Sequence, residues 1–178
     1  MKQLLIIGLS VFFLSACKKK IDELPPATQT GANTLGAKVN GEFWIPQGFG
    51  PFPANDILEA RIFPNNDISI KAQNFSKSPT ETEFELFITN VAAPGVYPLN
   101  TAVSYPRMTA SYGYFVKRVL TPSDEWITTT TATGTVTITR IDRVNMIVSG
   151  TFELNPASLY NSGQTLSITE GRFDLKLQ

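Results

Sequence analysis

The residues that decide the fold are TVTIT at 135–139, MIVSGTFEL at 146–154 and RFDLKL at 172–177. In each stretch apolar and polar residues alternate, as Val136 and Ile138 alternate with threonines. Successive side chains of a β-strand point to opposite faces of the sheet. A period of two therefore predicts antiparallel strands with one packed face and one face in water.

The same period extends towards the N-terminus. Residues 82–91 place three apolar residues on one strand face and three polar residues on the other, namely Phe84, Leu86 and Ile88 opposite Glu83, Glu85 and Thr89. Two turns predict hairpins. Asn40-Gly41 suits the positive φ angles of a type I′ turn, and Pro64-Asn65-Asn66 separates strands predicted at 57–63 and 67–75.

Nine or ten short strands separated by turns predict an all-β fold, an antiparallel β-sandwich. The alternative is a lipocalin-like up-and-down barrel. The sequence GEFW at 41–44 is similar to the Gly-x-Trp opening of lipocalins, but it has one residue too many. A shift of one residue turns Trp44 to the opposite strand face, so the sandwich is the preferred prediction.

The composition narrows the function classes. The chain of 178 residues is long enough for one domain with a core. It contains 15 basic and 15 acidic residues and no histidine. A charge near zero gives no case for nucleic-acid binding, which calls for a basic surface. The lack of histidine excludes Ser-His-Asp and Cys-His mechanisms and removes the commonest transition-metal ligand.

The N-terminus has the layout of a signal peptide. Lys2 precedes an apolar run of eleven residues, LLIIGLSVFFL at 4–14, and small residues follow it at 15–16. As a helix this run would extend about 16 Å, roughly half of the ~30 Å hydrocarbon core. It is therefore too short to cross a bilayer and is typical of a signal-peptide apolar region.

Leu14-Ser15-Ala16-Cys17 resembles the lipobox of bacterial lipoproteins. The resemblance implies diacylglycerol on the Cys17 sulfur, cleavage before Cys17 and acylation of the new amino terminus. Cys17 is the only cysteine, so lipidation would leave no thiol for a disulfide. Several acyl chains hold a protein stably at a membrane, whereas a single short chain does so only marginally.

The resulting domain organisation has three parts. Residues 1–16 are predicted to be the signal peptide and residues 17–34 a lipidated flexible tether, since they are rich in charge, proline and threonine. The single antiparallel β domain is predicted at 35–178. Three lysines, at 18–20, follow the acyl site and would favour anionic headgroups.

Aromatic residues are the candidates for a ligand-binding surface, because aromatic faces stack on sugar rings and anchor protein interfaces. The predicted binding residues are Phe43, Trp44, Tyr112 and Tyr114. Tyr112 and Tyr114 lie on the same side of an extended segment, which suits a platform. Phe49, Phe52 and Phe115 belong to the same two groups. The alternative is that these rings fill the core.

Carboxylates are the other candidates. Glu81, Glu83 and Glu85 fall on one strand face about 7 Å apart, where they would form a calcium site, an acid–base pair or simply a solvated face. A line of carboxylates does not converge on a point, so the solvated face is preferred. Glycosidase chemistry needs only two carboxylates, but nothing in the sequence selects a pair.

Several short motifs together resemble small uncharacterised lipoproteins of Bacteroidetes. They are the lipobox, the Pro/Thr-rich segment after it, GAKVNGEFW at 36–44, SGTF at 149–152 and EGRF at 170–173. The resemblance implies a β-rich protein anchored in the cell envelope, of unknown function. No catalytic residues accompany that group, so none can be carried over.

The sequence thus predicts a membrane-anchored cell-envelope lipoprotein that is not an enzyme and needs no metal or cofactor. Its partners would be the membrane, through acyl chains on Cys17, and a glycan or envelope protein. The outer membrane is the expected location. The resemblance implies that surface export favours acidic residues soon after the lipidated cysteine, and since lysines follow Cys17 directly here, the periplasmic face is preferred over the cell surface. Alternative functions are an apolar-ligand carrier and a carboxylate-dependent glycosidase.

Overall fold

A computed structural model describes residues 22–48, 57–77, 80–118 and 122–178. These residues contain twelve strands and no helix, so none of them belongs to a helix that could cross a membrane. In chain order the strands are β1 (Thr34–Val39), β2 (Glu42–Trp44), β3 (Leu58–Ile62), β4 (Ile68–Lys77), β5 (Thr80–Ile88), β6 (Gly95–Leu99), β7 (Tyr112–Arg118), β8 (Pro122–Ile127), β9 (Gly134–Asp142), β10 (Ile147–Leu154), β11 (Ala157–Ser158) and β12 (Ile168–Lys176).

The strands form two antiparallel sheets of six that pack face to face. Sheet 1 has the order β2-β1-β12-β10-β9-β6, and sheet 2 has the order β11-β8-β7-β5-β4-β3. Both sheets end in edge strands, so they do not close into a barrel. The prediction of an all-β sandwich is confirmed, and the alternative of a lipocalin-like barrel is wrong. The strand count exceeds the expected nine or ten in part because β11, with two residues, is too short to show alternation.

Both predicted hairpins are present. Asn40 and Gly41 have φ angles of 49° and 84° and connect β1 to β2, as expected for a type I′ turn. The second hairpin pairs β3 with β4 through the turn at 64–66. The turn residues therefore fix the register of both strand pairs, as the sequence indicates.

The main core lies between the sheets, and Phe84 is at its centre. Its ring makes an edge-on contact with Trp44, with the ring centroids 4.6 Å apart. The centroids of Phe115 and Phe152 lie 4.8 Å and 5.8 Å from that of Phe84. Such aromatic pairs stabilise a core beyond the area they bury. Sheet 1 contributes alternating residues such as Phe173, which is also buried.

The outer face of sheet 2 carries a second apolar cluster, so the expected wet face is wrong for this sheet. Tyr112, Tyr114 and Phe87 are buried there. The covering comes from the connection between β6 and β7, in which Tyr105 stacks on Tyr114 with ring centroids 4.0 Å apart. Because the cover is a loop without a repeating pattern, the alternation within the strands does not reveal it.

Two glycines that both pair with Ile138, one on each side of β9, differ in the space around them. A Cβ at Gly150 would lie 2.3 Å from the Thr137 carbonyl oxygen, whereas a Cβ at Gly95 would find its nearest neighbour at 3.8 Å. We expect Gly150→Ala to lower the free energy of unfolding by about 1–3 kcal/mol, since backbone must move to admit the methyl group. Gly95→Ala is the matched control and should change it by less than about 0.5 kcal/mol. Urea denaturation measures both; equal effects would contradict the expectation.

Candidate functional site

Asp174 is a fully buried carboxylate on the outer face of sheet 1. It lies on β12 between Phe173 and Leu175, which face the core. Alternation therefore points Asp174 away from the core, yet only 1% of it is exposed. The cover is formed by residues 24–33, the docked segment. Six hydrogen bonds reach the carboxylate, from Thr28 Oγ1 (2.6 Å), Gly31 N (2.8 Å), Ser149 Oγ (2.8 Å), Thr30 N (2.9 Å), Ala32 N (3.1 Å) and Thr30 Oγ1 (3.3 Å).

These hydrogen bonds keep Asp174 ionised at neutral pH. Burial acts to raise the pKa of its carboxyl group, because a charged group loses its hydration. The hydrogen bonds from Thr28 and Ser149 and from the backbone of the docked segment lower the pKa by more. The pKa of Asp174 consequently lies well below its usual range, and the negative charge is held by donors of the protein itself.

Further contacts fix the docked segment in its middle and at both of its ends. Arg140 donates to the carbonyl of Gln29, and the Asn33 side chain accepts from Lys176 N at 2.9 Å. At the other end, a Cβ placed on Gly36 would lie 2.6 Å from Pro25 Cδ, so the proline packs directly on the backbone of β1. The expectation that residues 17–34 form a flexible tether is therefore wrong for residues 24–33. Their hydrogen-bonding partners lie in distant strands, which a local reading of the sequence cannot identify.

A groove of about 890 Å³ lies beside the docked segment, on the side of the sandwich where β3 approaches the end of β12. The approach is fixed by Gln178, whose backbone N–H donates to Ala60 O at 2.9 Å. One wall comes from Leu24 and Pro25 of the docked segment and the other from Leu58 on β3. The remaining apolar lining residues are Pro26, Leu35, Ile45, Pro46, Ile57, Ala60 and Leu175. We refer to it as the N-terminal groove.

The tyrosines predicted to form an aromatic platform are buried. Tyr112 and Tyr114 are 0% and 1% exposed under the loop that carries Tyr105, and Trp44 is 7% exposed in the main core. The indole N–H of Trp44 is satisfied within the protein, by Thr82 Oγ1 at 2.8 Å. Other parts of the chain therefore cover the rings of these three residues, as the alternative of core-filling rings predicts.

The other predicted aromatic residues lie in different environments. Phe43 is 36% exposed, and the Lys38 ammonium lies 5.3 Å from its ring centroid. Phe115 is in the core. Phe49 and Phe52 lie outside the described residues. Of the four predicted binding residues, Phe43 is thus the one whose ring the structure leaves accessible, and a single partly exposed ring does not make a platform.

The three glutamates predicted on one strand face are not equivalent. Glu85 is 1% exposed and accepts from Tyr112 OH at 2.7 Å and Tyr105 OH at 3.3 Å. Lys71 Nζ lies 3.6 Å from the same carboxylate. Glu83 accepts from Gln73 at 3.0 Å. The solvated face expected for these residues is therefore wrong for Glu85, because the loop above sheet 2 buries it.

A second carboxylate–phenol pair lies nearby. Glu125 on β8 accepts from Tyr114 OH at 2.6 Å and from Tyr160 OH at 3.0 Å. Burial raises the pKa of Tyr112 and of Tyr114 well above the usual range, and the adjacent glutamates raise both pKa values further. The phenols therefore stay protonated and donate to the carboxylates. Within the described ranges no group of three or more Asp, Glu, Cys or His side chains is placed to hold a metal ion.

Comparison with known proteins shows the family to which the chain belongs. The match is to a domain of unknown function, DUF6252, and spans residues 32–174. The chain belongs to this family. No curated protein and no solved structure matches it. The match covers every strand of the sandwich except the last residues of β12, so the two sheets are what this DUF6252 member shares with its family.

The residues that sequence analysis missed are Asp174, Glu125 and the lining of the N-terminal groove. Asp174 reads as an outward-facing residue between Phe173 and Leu175, with no local sign of burial. Its donors in the docked segment are 142 to 146 positions away along the chain. Only contacts between distant positions, which one sequence does not reveal, could have identified it.

We expect Asp174→Asn to lower the free energy of unfolding by about 3 kcal/mol at pH 7, because an uncharged amide replaces the acceptor and turns N–H groups towards buried donors. Ser149→Ala, which removes one of the six hydrogen bonds, is the graded control and should cost about 1 kcal/mol. Chemical denaturation measures both variants. Equal losses would contradict the central role of the carboxylate.

The effect of Asp174→Asn should depend on pH. Because the native pKa of Asp174 is lowered, its stabilisation is complete above the unfolded-state value of about 3.9 and is lost as the pH falls towards the native value. The difference in unfolding free energy between wild type and variant should therefore narrow from about pH 4 to pH 2. A difference that stays constant over this range would show that the charge is not what stabilises the segment.

Tyr112→Phe should lower the free energy of unfolding by about 1.5–3 kcal/mol, because it removes a hydrogen bond to the buried charge of Glu85. The control is Tyr97→Phe, since the Tyr97 hydroxyl donates to Ala93 O at an exposed site, where the change should stay within about 0.5 kcal/mol. A double-mutant cycle with Glu85→Gln isolates the interaction. The absence of coupling in that cycle would exclude it as a stabilising pair.

Proposed function

We propose that this DUF6252 protein is a lipoprotein of the bacterial cell envelope, anchored by acyl chains on Cys17, and that its domain is a non-enzymatic binding or structural module. The lipobox at 14–17, placed directly after a short apolar run, supports the anchor. The proposed site of action is the periplasmic face of the outer membrane, which the lysines at 18–20 support over the cell surface.

The docked segment is the observation that carries the proposal. Leu24, which lies against the domain near Gly36, is seven positions after Cys17. Seven residues span at most about 25 Å. An anchor on Cys17 would therefore hold the sandwich close to the bilayer, with the docked segment and the N-terminal groove on the side nearest the membrane. This arrangement suits a module that works at the membrane surface.

The buried carboxylates support a non-enzymatic role. Glu85 and Glu125 accept hydrogen bonds from tyrosine hydroxyls, and Asp174 accepts hydrogen bonds from the docked segment. Asp67, also buried, accepts from Asn65 and from Asn90 N. A glycosidase needs two carboxylates that face each other across a cleft open to substrate. Hydrolysis of a glycan or ester that a single carboxylate substitution abolishes would contradict the proposal.

Cys17→Ser in the full chain tests the anchor. We expect wild-type protein to sediment with membranes and to resist extraction by alkaline carbonate, because several acyl chains hold it. The mature form of the variant should be soluble and carry no fatty acid. Metabolic labelling with a fatty acid and mass spectrometry of the N-terminal peptide measure the modification directly.

Ser15→Ala is the matched control, since it keeps a small residue before the proposed cleavage site and should behave as wild type. Membrane association of the mature Cys17→Ser product, with fatty-acid labelling that does not depend on Cys17, would overturn the proposed anchor.

Protease treatment of intact cells distinguishes the two faces of the outer membrane. A binding screen against glycans and envelope proteins, with the full chain, addresses the partner.

A further inference from the structure

The N-terminal groove has the size and lining of a site for an apolar chain. Its volume of about 890 Å³ lies within the roughly 300–1,000 Å³ of small-molecule sites. Aliphatic side chains and prolines make up most of the lining, and the polar residues that line it are Asp22, Glu23, Asn33, Thr34, Gln47, Lys176 and Gln178. The apolar part of this lining accommodates a saturated hydrocarbon.

The position of the groove along the chain identifies the hydrocarbon. Asp22 lines the groove and is only five residues from Cys17, a span of at most about 18 Å. An acyl chain on the Cys17 sulfur therefore starts within reach of the groove. Because it is attached to the same molecule, its effective concentration at the groove is on the order of millimolar, far above that of a dissolved fatty acid.

We propose that the N-terminal groove binds one of the acyl chains attached to Cys17 of the same molecule when the protein is outside a bilayer. This inference rests on the proposed lipidation of Cys17. In a bilayer the acyl chain is surrounded by hydrocarbon already and gains nothing from the groove. In water the groove removes it from solvent, so the protein would shield part of its own anchor while it passes between membranes.

The docked segment makes it geometrically feasible for the groove to bind an acyl chain on Cys17. It holds Leu24 and Pro25 as one wall of the groove, and its hydrogen bonds to Asp174 fix that wall. Cys17 is therefore only seven positions before a wall whose place is fixed. A long free tether would lower the effective concentration and leave the groove without this wall.

Chemical alkylation tests the inference without depending on lipidation in cells. All twelve strands and the docked segment lie within residues 22–178, so the chain from Cys17 to Gln178 contains the complete described fold. Cys17 is its single thiol and can be coupled to a maleimide that carries a hexadecyl chain with a polarity-sensitive dye at the far end. The reference is the same dye on a short polar linker.

We expect the dye on the long chain to shift to the blue in monomeric protein and to be about three- to tenfold less accessible to iodide than the dye on the polar linker, as for a ligand that a pocket largely buries. Leu58→Arg, in the groove wall, should abolish both effects. Ile57→Gln, at the same wall, should reduce them. Val96→Arg, a substitution at an exposed position on the edge strand β6, is the matched control and should leave them unchanged.

Circular dichroism shows whether each variant folds, and Ile57→Gln keeps the test valid if Leu58→Arg does not. A dye that stays accessible to iodide in folded wild-type protein would overturn the inference, as would identical protection in all the folded variants. Displacement of the tethered chain by an equimolar free fatty acid would also overturn it, since the groove would then serve a diffusing ligand. A failure of lipidation in cells would affect the proposed anchor but none of these measurements.

Discussion

One buried carboxylate organises the N-terminal side of this protein. Asp174 would be an ordinary outward-facing residue of β12 if the docked segment did not lie over it, and the segment in turn has its main attachment there. A buried charge is costly unless donors surround it. Since the backbone N–H groups of residues 30–32 supply half of the six hydrogen bonds, the carboxylate fixes main chain as well as side chains, and with it one wall of the groove.

A second feature of the structure is that buried glutamates accept hydrogen bonds from buried tyrosine hydroxyls. Tyr112 with Glu85, and Tyr114 with Glu125, are neighbours on the outer face of sheet 2 under the loop of Tyr105. Each phenol supplies the donor that its glutamate requires. Such hydrogen-bonded groups stabilise a particular arrangement of the loop.

Much of the sandwich could be predicted from local patterns. Alternation correctly places Phe84, Leu86 and Ile88 in the core, and Asn40-Gly41 correctly marks a hairpin, because both signals act over a few residues. What covers an outer face is not a local property. Glu85 and Asp174 occupy the polar side of their strands in sequence, and only a distant segment turns those positions into buried ones. Candidate site residues were missed or misplaced for that reason.

The strand order of sheet 1 has a consequence for how the molecule is made. Strand β12, which is last in the chain, lies between β1 and β10 and carries Asp174. The docked segment therefore has no place to dock until β12, which carries its partner 142 to 146 positions later in the chain, has been made. Contacts over such separations form slowly, because a long loop must close. In the proposed lipoprotein, the segment next to the anchor would therefore be among the last parts to take its place on the domain.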